Sequence, residues 1–201
     1  MEISASAQVA HGRLELPTAT GIPNGKLGIW LFLASEVMFF TGLIGAYVVL
    51  RTGHPAWPGS EGHLSVGMGT INTLVLLCSS TTVVMALAAA QRGAIRSARA
   101  WLLATILLGS LFLAIKGTEY SAKFAHHLFP NTNLFWSCYF TLTGFHALHV
   151  FGGIVFNLLV LGWMRSETLW KAQHHRLELA GLYWHFVDIV WLFLFPLLYL
   201  F

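Results

Sequence analysis

The sequence predicts an all-α membrane protein: five transmembrane helices in one bundle, N-terminus cytoplasmic, C-terminus outside. Three observations predict it. Hydrophobic residues make up 56% of the chain and charged residues only 9%, against about 25% charge in soluble domains, and mean hydropathy is +0.69. Five apolar runs, at about 27–50, 67–91, 100–122, 134–164 and 179–201, are each long enough to cross a bilayer at roughly 1.5 Å rise per residue. Lys and Arg gather in alternate connections between these runs.

Each element follows in order. Residues 1–26 hold no apolar h-region and are broken by Pro17, Pro23 and several Gly. They read as a short cytoplasmic tail rather than a signal peptide, and 27–201 reads as the transmembrane domain. The first span carries Glu36 in its middle, where a carboxylate costs on the order of 3 kcal/mol. Gly53, Pro55, Pro58, Gly59 and Gly62 end it. The second span places Asn72, Ser79, Ala86 and Ala90 on one face, a helix-packing surface. A short basic connection, 92–99, leads to the third span. There Lys116 and Glu119, three residues apart, are expected to pair near the outer surface. Pro130, Asn131 and Asn133 mark the next break. The fourth span aligns Thr143, His146, His149, Gly153 and Asn157. The fifth aligns Glu178, Gly181, His185 and Asp188, with Trp184 and Trp191 pointing roughly the other way. Cys78 and Cys138 fall within spans and read as buried small hydrophobes.

Charge sets the orientation. Arg13, Lys26, Arg92, Arg96, Arg99, Arg165, Lys171 and Arg176 fall on one side, against Arg51 and Lys123 on the other. The positive-inside rule places the richer side in the cytoplasm. The net charge of +3 is therefore a topology signal spread over short loops, not a nucleic-acid surface. At these depths Glu36, His146, His149, His185 and Asp188 share one layer. They form an intramembrane polar cluster, structural or proton-linked. Burial disfavours a charged Glu36 unless His185 or another cation pairs with it, and its neighbours Phe32, Phe39, Phe40 and Leu43 offer no relay. His146 and His149, and again His185 and Asp188, stand three residues apart, a spacing open to a metal or haem. No Glu-x-x-His pair of the di-iron type accompanies them, and helix packing is the competing explanation. His126-His127 and His174-His175 read as solvated or lipid-facing. An autonomous proton transporter would need a continuous polar path or broken helices; apart from Pro196, breaks inside the spans are scarce.

Three motifs carry a resemblance. Ser35-Glu36-Val37-Met38-Phe39-Phe40 resembles the first shared helix of subunit III of cytochrome c oxidase. Thr143-Gly144-Phe145-His146-Ala147-Leu148-His149-Val150 resembles that family's fourth-helix signature, and Tyr183-Trp184-His185-Phe186-Val187-Asp188-Ile189-Val190-Trp191 its last-helix signature. Glu119-Tyr120 and Asn72-Thr73 fall where the family has matching residues. The resemblance runs from about Leu27 to Phe201 and is to the short five-helix form; many members have two further amino-terminal helices that form a lipid cleft. It implies a non-redox subunit of an aerobic haem–copper terminal oxidase in a bacterial plasma membrane. Such a subunit binds no cofactor of its own. Haem and copper are expected in subunits I and II. Subunit I is the expected main contact, with subunit II, small subunits and phospholipid beside it. The implied role is support of assembly, proton uptake and turnover lifetime. The short form also resembles the third subunit of quinol oxidases and a nitric-oxide-reductase-associated relative; Glu36 and the Tyr183–Trp191 stretch favour the cytochrome c branch.

Overall fold

The structure, a computed structural model, describes residues 24–60, 64–166, 168, 170 and 175–200. Residues 1–23 of the expected tail, Lys171 and His174 lie outside them. Five helices follow one another: α1 (Asn24–Gly53), α2 (Val66–Gln91), α3 (Ile95–Ala125), α4 (Leu134–Trp163) and α5 (His175–Phe195). All five are long and apolar enough to cross a membrane. Most extend beyond the apolar runs, because hydropathy marks the lipid-immersed stretch while the backbone stays helical until a cap or turn residue ends it. The largest shift is in α3. It begins at Ile95, so the basic connection is a tight turn at Gly93 (φ +75°), and Arg96 and Arg99 belong to the helix. Ser65 caps α2 by accepting from the Met68 N–H (3.3 Å), and Asn133 caps α4 by accepting from the Trp136 N–H (2.9 Å).

Interhelical pairs show an up-down bundle. Lys26, Phe32, Phe40 and Tyr47 of α1 meet Glu178, Tyr183, Phe186 and Leu197, so α1 and α5 run parallel. Thr73 and Ser79 of α2 meet Trp191 and Trp184 in reverse order, so α2 opposes α5. The central helix is α5, half of whose span is buried, against 11% for α1. Trp184 and Trp191 are therefore not turned away from the packing face. They are fully buried, because α5 packs against α1, α2 and α4 and so has more than one packing face. The Trp184 ring lies so close to α3 and α4 that a Cβ on Gly109 would sit 2.5 Å from it, and one on Gly153 2.8 Å. Glycine there makes room for the indole ring, and such close van der Waals packing in lipid replaces the hydrophobic drive that water supplies. The indole N–H groups donate across the interface, Trp184 to Ser79 Oγ and Trp191 to Thr73 Oγ1, each at 2.9 Å.

Past Phe195 the chain makes one π-helical turn, Pro196–Leu200. Proline cannot donate the next helical hydrogen bond, and the wider turn accommodates an extra residue. As a result Tyr199, eight residues after Trp191 rather than seven, lies beside that ring at 6.4 Å.

One end of the bundle gathers the basic residues. Lys26 pairs with Glu178 at 2.7 Å. The Arg99 guanidinium donates to the Met164 carbonyl. Arg176 stacks over Trp163 at 4.7 Å. Both cysteines are free thiols, as expected, but they depart from the expected burial: Cys78 is exposed on the outward face of α2 and Cys138 is half-buried.

Candidate functional site

The intramembrane polar residues fall into distinct contacts. Glu36 on α1 and His149 on α4 meet at 2.9 Å, Oε2 to Nε2, with both side chains about one-sixth exposed (18% and 17%). The partner of Glu36 is thus His149 and not His185. The other nitrogen, His149 Nδ1, lies 2.8 Å from the Phe145 carbonyl, an oxygen that only accepts. Nδ1 must therefore carry a hydrogen. Nε2 then either accepts from a protonated Glu36 or donates to a carboxylate as part of an imidazolium. In both cases the pair holds one shared proton and no net charge, which relieves the cost of placing a carboxyl in lipid. Phe39 and Phe40 pack on the His149 ring, and Tyr183 donates to the His149 carbonyl at 3.0 Å.

His185 is held by Ser80 of α2, Nδ1 to Oγ at 2.7 Å. Its other face meets a groove between α1 and α5 lined by Leu33, Val37, Phe40, Thr41 and Ile189. Asp188, one turn on, is buried. Ser80 is the polar group close enough to influence it, yet no regular hydrogen bond reaches either carboxyl oxygen. His146 is wholly buried, stacked on Trp191 at 5.1 Å and edge-on to Phe112 at 5.6 Å, with neither nitrogen bonded. Buried Asn72 and Asn157 likewise have amides without partners. The two i, i+3 pairs therefore do not act as pairs: His146 faces the core while His149 faces α1, and His185 contacts Ser80 while Asp188 does not join it.

The densest polar network lies at the end of the bundle opposite the basic one. Glu119 Oε2 accepts from Lys116 Nζ at 2.9 Å, the expected pair. Its Oε1 accepts from Lys123 Nζ (2.9 Å), Tyr139 OH (3.1 Å) and Tyr199 OH (2.7 Å). Lys116 Nζ also donates to Tyr199 OH at 2.5 Å and lies 4.7 Å from the Trp191 ring centre. Three helices and the π turn are tied together here. The sequence placed Lys123 in a loop, because the apolar run stops at 122. Its position four residues after Glu119 was the available signal. Tyr139 and Tyr199 gave none, since only tertiary packing brings them to Glu119.

Among the described residues no group of three or more His, Cys, Asp and Glu side chains is placed to hold a metal ion. A sequence model of the family described as cytochrome c oxidase subunit III matches residues 5–201. The chain belongs to the cytochrome c oxidase subunit III family. It is 39% identical over 175 residues to cytochrome c oxidase subunit 3 of Thermostichus vulcanus, covering 87% of this chain and 86% of the relative. It is 39% identical over 184 residues to the same subunit of Synechocystis, covering 90% and 77%. It is 32% identical over 177 residues to cytochrome bo(3) ubiquinol oxidase subunit 3 of Pseudomonas aeruginosa, covering 88% and 85%. Membership makes the chain a membrane subunit of a haem–copper oxidase complex, which agrees with the five apolar helices.

Proposed function

We propose that the chain is a non-redox subunit of a bacterial cytochrome c oxidase, the complex that reduces O2 to water and pumps protons. Its N-terminus lies in the cytoplasm. It packs mainly against subunit I, with subunit II nearby, and leaves haem and copper to those partners. Its contribution is mechanical and protective: it supports assembly, lipid binding, proton uptake and the lifetime of the turning-over enzyme. The observation that carries this is that the intramembrane charged groups bond to one another. Glu36 meets His149, and Glu119 meets both Lys116 and Lys123, at 2.9 Å in every case. Between these groups lie the packed rings of Phe112, His146 and Trp191. Charged groups bonded to one another and separated by packed rings favour bracing over a proton path through this chain, and so weigh against an autonomous transporter. The cytochrome c branch is preferred over the quinol branch because relatives of that name match at 39% identity.

The test is capture of the tagged chain in mild detergent, followed by a reduced-minus-oxidised spectrum and oxygen uptake with each donor. Haem bands from a co-purified larger subunit, with uptake driven by cytochrome c, are expected. Uptake driven by quinol alone would move the chain to the quinol-oxidase branch, and a haem-free chain recovered by itself would defeat the proposal.

A further inference from the structure

The π turn that follows α5, Pro196–Leu200, reaches each of the helices α1 to α4. It meets α1 where Tyr47 OH donates to the Leu197 carbonyl at 3.3 Å. It meets α2 at Gly69, where a Cβ would lie 3.0 Å from the Tyr199 ring and 2.9 Å from that of Phe195, just before the turn. It meets α3 through the Tyr199 hydroxyl, which donates to Glu119 Oε1 at 2.7 Å and accepts from Lys116 Nζ at 2.5 Å. It meets α4 where the Tyr139 and Tyr199 hydroxyls stand 3.0 Å apart. Leu198 and Tyr199 are both buried.

The basic end is held differently. Each of its contacts joins two segments: Lys26 to Glu178, Arg99 to the Met164 carbonyl, and Arg176 to Trp163. Breaking one leaves the others in place. At the Glu119 end the contacts converge on one turn. When that turn lifts, Glu119 and Lys116 each lose Tyr199, Tyr47 loses the Leu197 carbonyl, and Gly69 loses the ring packed on it. A buried polar group left without a partner costs more than the bond itself contributed, so release from one helix weakens the hold on the next. Segments coupled in this way open as one cooperative unit, and π turns recur at functional sites.

We propose that Pro196–Leu200 is a conformational clasp. Its docking joins the Glu119 ends of α1, α2, α3 and α4 into one unit that opens together, while the basic end opens independently. The clasp goes beyond the bracing role proposed above, since it assigns the opening of one end of the bundle to a single turn. It holds whichever electron donor feeds the complex.

The test is amide hydrogen–deuterium exchange, read by mass spectrometry on the intact oxidase complex in nanodiscs, with haem content reporting assembly separately. Tyr199→Ala removes the ring and its hydroxyl. Gly69→Leu pushes the turn away from the α2 side and removes no side-chain hydrogen bond; leucine is a good helix former, so α2 itself is not weakened. Leu200→Ala, at an exposed position on the same turn, is the control. Where Tyr199→Ala fails to assemble, Tyr199→Phe, which keeps the ring and loses the hydroxyl, takes its place. In both clasp variants the end of α1, the start of α2, the end of α3 and the start of α4 are expected to exchange together, roughly tenfold or more faster than wild type, the scale of leaving buried hydrogen bonds unmade. Peptides at the basic end, such as 95–104, and the Leu200→Ala control should match wild type. Faster exchange confined to 192–200, equal acceleration at both ends of the bundle, or no change in Gly69→Leu would overturn the clasp.

Discussion

His149 Nδ1 faces a carbonyl and Nε2 faces Glu36, so a single proton serves the pair whichever atom holds it. Glu36→Gln keeps a donor opposite Nε2 but removes that shared proton. The expected outcome is a complex that assembles with an initial oxygen-uptake rate within about twofold of wild type, a change under 1 kcal/mol, and that loses activity sooner during turnover. A protonated-carboxyl infrared band that vanishes in this variant would assign the proton to Glu36; its absence would assign the ion pair. Glu119 is a different case, because two buried lysines depend on it. Glu119→Ala leaves both uncompensated and is expected to cost on the order of 3–5 kcal/mol, read as a lowered thermal midpoint of the detergent-solubilised complex. Lys116→Met in the same background should recover part of the loss, since it removes one of the stranded charges. No loss in Glu119→Ala would contradict the network as drawn.

At the level of elements, α5 is held by its tryptophans and by glycines on its neighbours. Gly153→Leu forces a side chain into the Trp184 ring and is expected to cost about 1–3 kcal/mol, whereas Gly162→Leu, with open space around it, should be nearly neutral. Thermal unfolding of the two variants side by side checks this. The spans were legible because hydropathy and length report the bilayer directly, and their limits were legible from Pro and Gly at 51–66 and from Pro and Asn at 123–133. The ends were less so. Ile95–Arg99 is helical although charged, because a helix leaves the bilayer without ending. Trp184 and Trp191 were misplaced because a stripe of small and polar residues marks one packing face, while a central helix has several. Glu36 and the Lys116–Glu119 pair could be found from cost and spacing. That His149 rather than His185 answers Glu36, and that Tyr139 and Tyr199 complete the outer network, depends on which helices touch, and helical periodicity does not encode that.

Across the whole molecule, the structure gathers Lys26, Arg99 and Arg176 at one end and Lys123 at the other. If the first end is cytoplasmic, a membrane-impermeant maleimide added to intact cells labels Ala56→Cys and leaves Arg96→Cys untouched; the reverse pattern would invert the bundle. Its wider role follows from what the bundle contains: charged groups bonded to one another, tightly packed rings, and a long α1 left largely uncovered for lipid or a neighbouring subunit. The most direct measurement is oxygen uptake by the oxidase complex before this chain is stripped away, after stripping, and after adding it back, with haem content followed throughout. The account predicts that haem stays with the remaining subunits, that initial electron transfer persists, and that the stripped enzyme dies sooner in turnover until the chain is restored. Haem leaving with the chain, or immediate and complete loss of uptake with the rest of the complex intact, would contradict it.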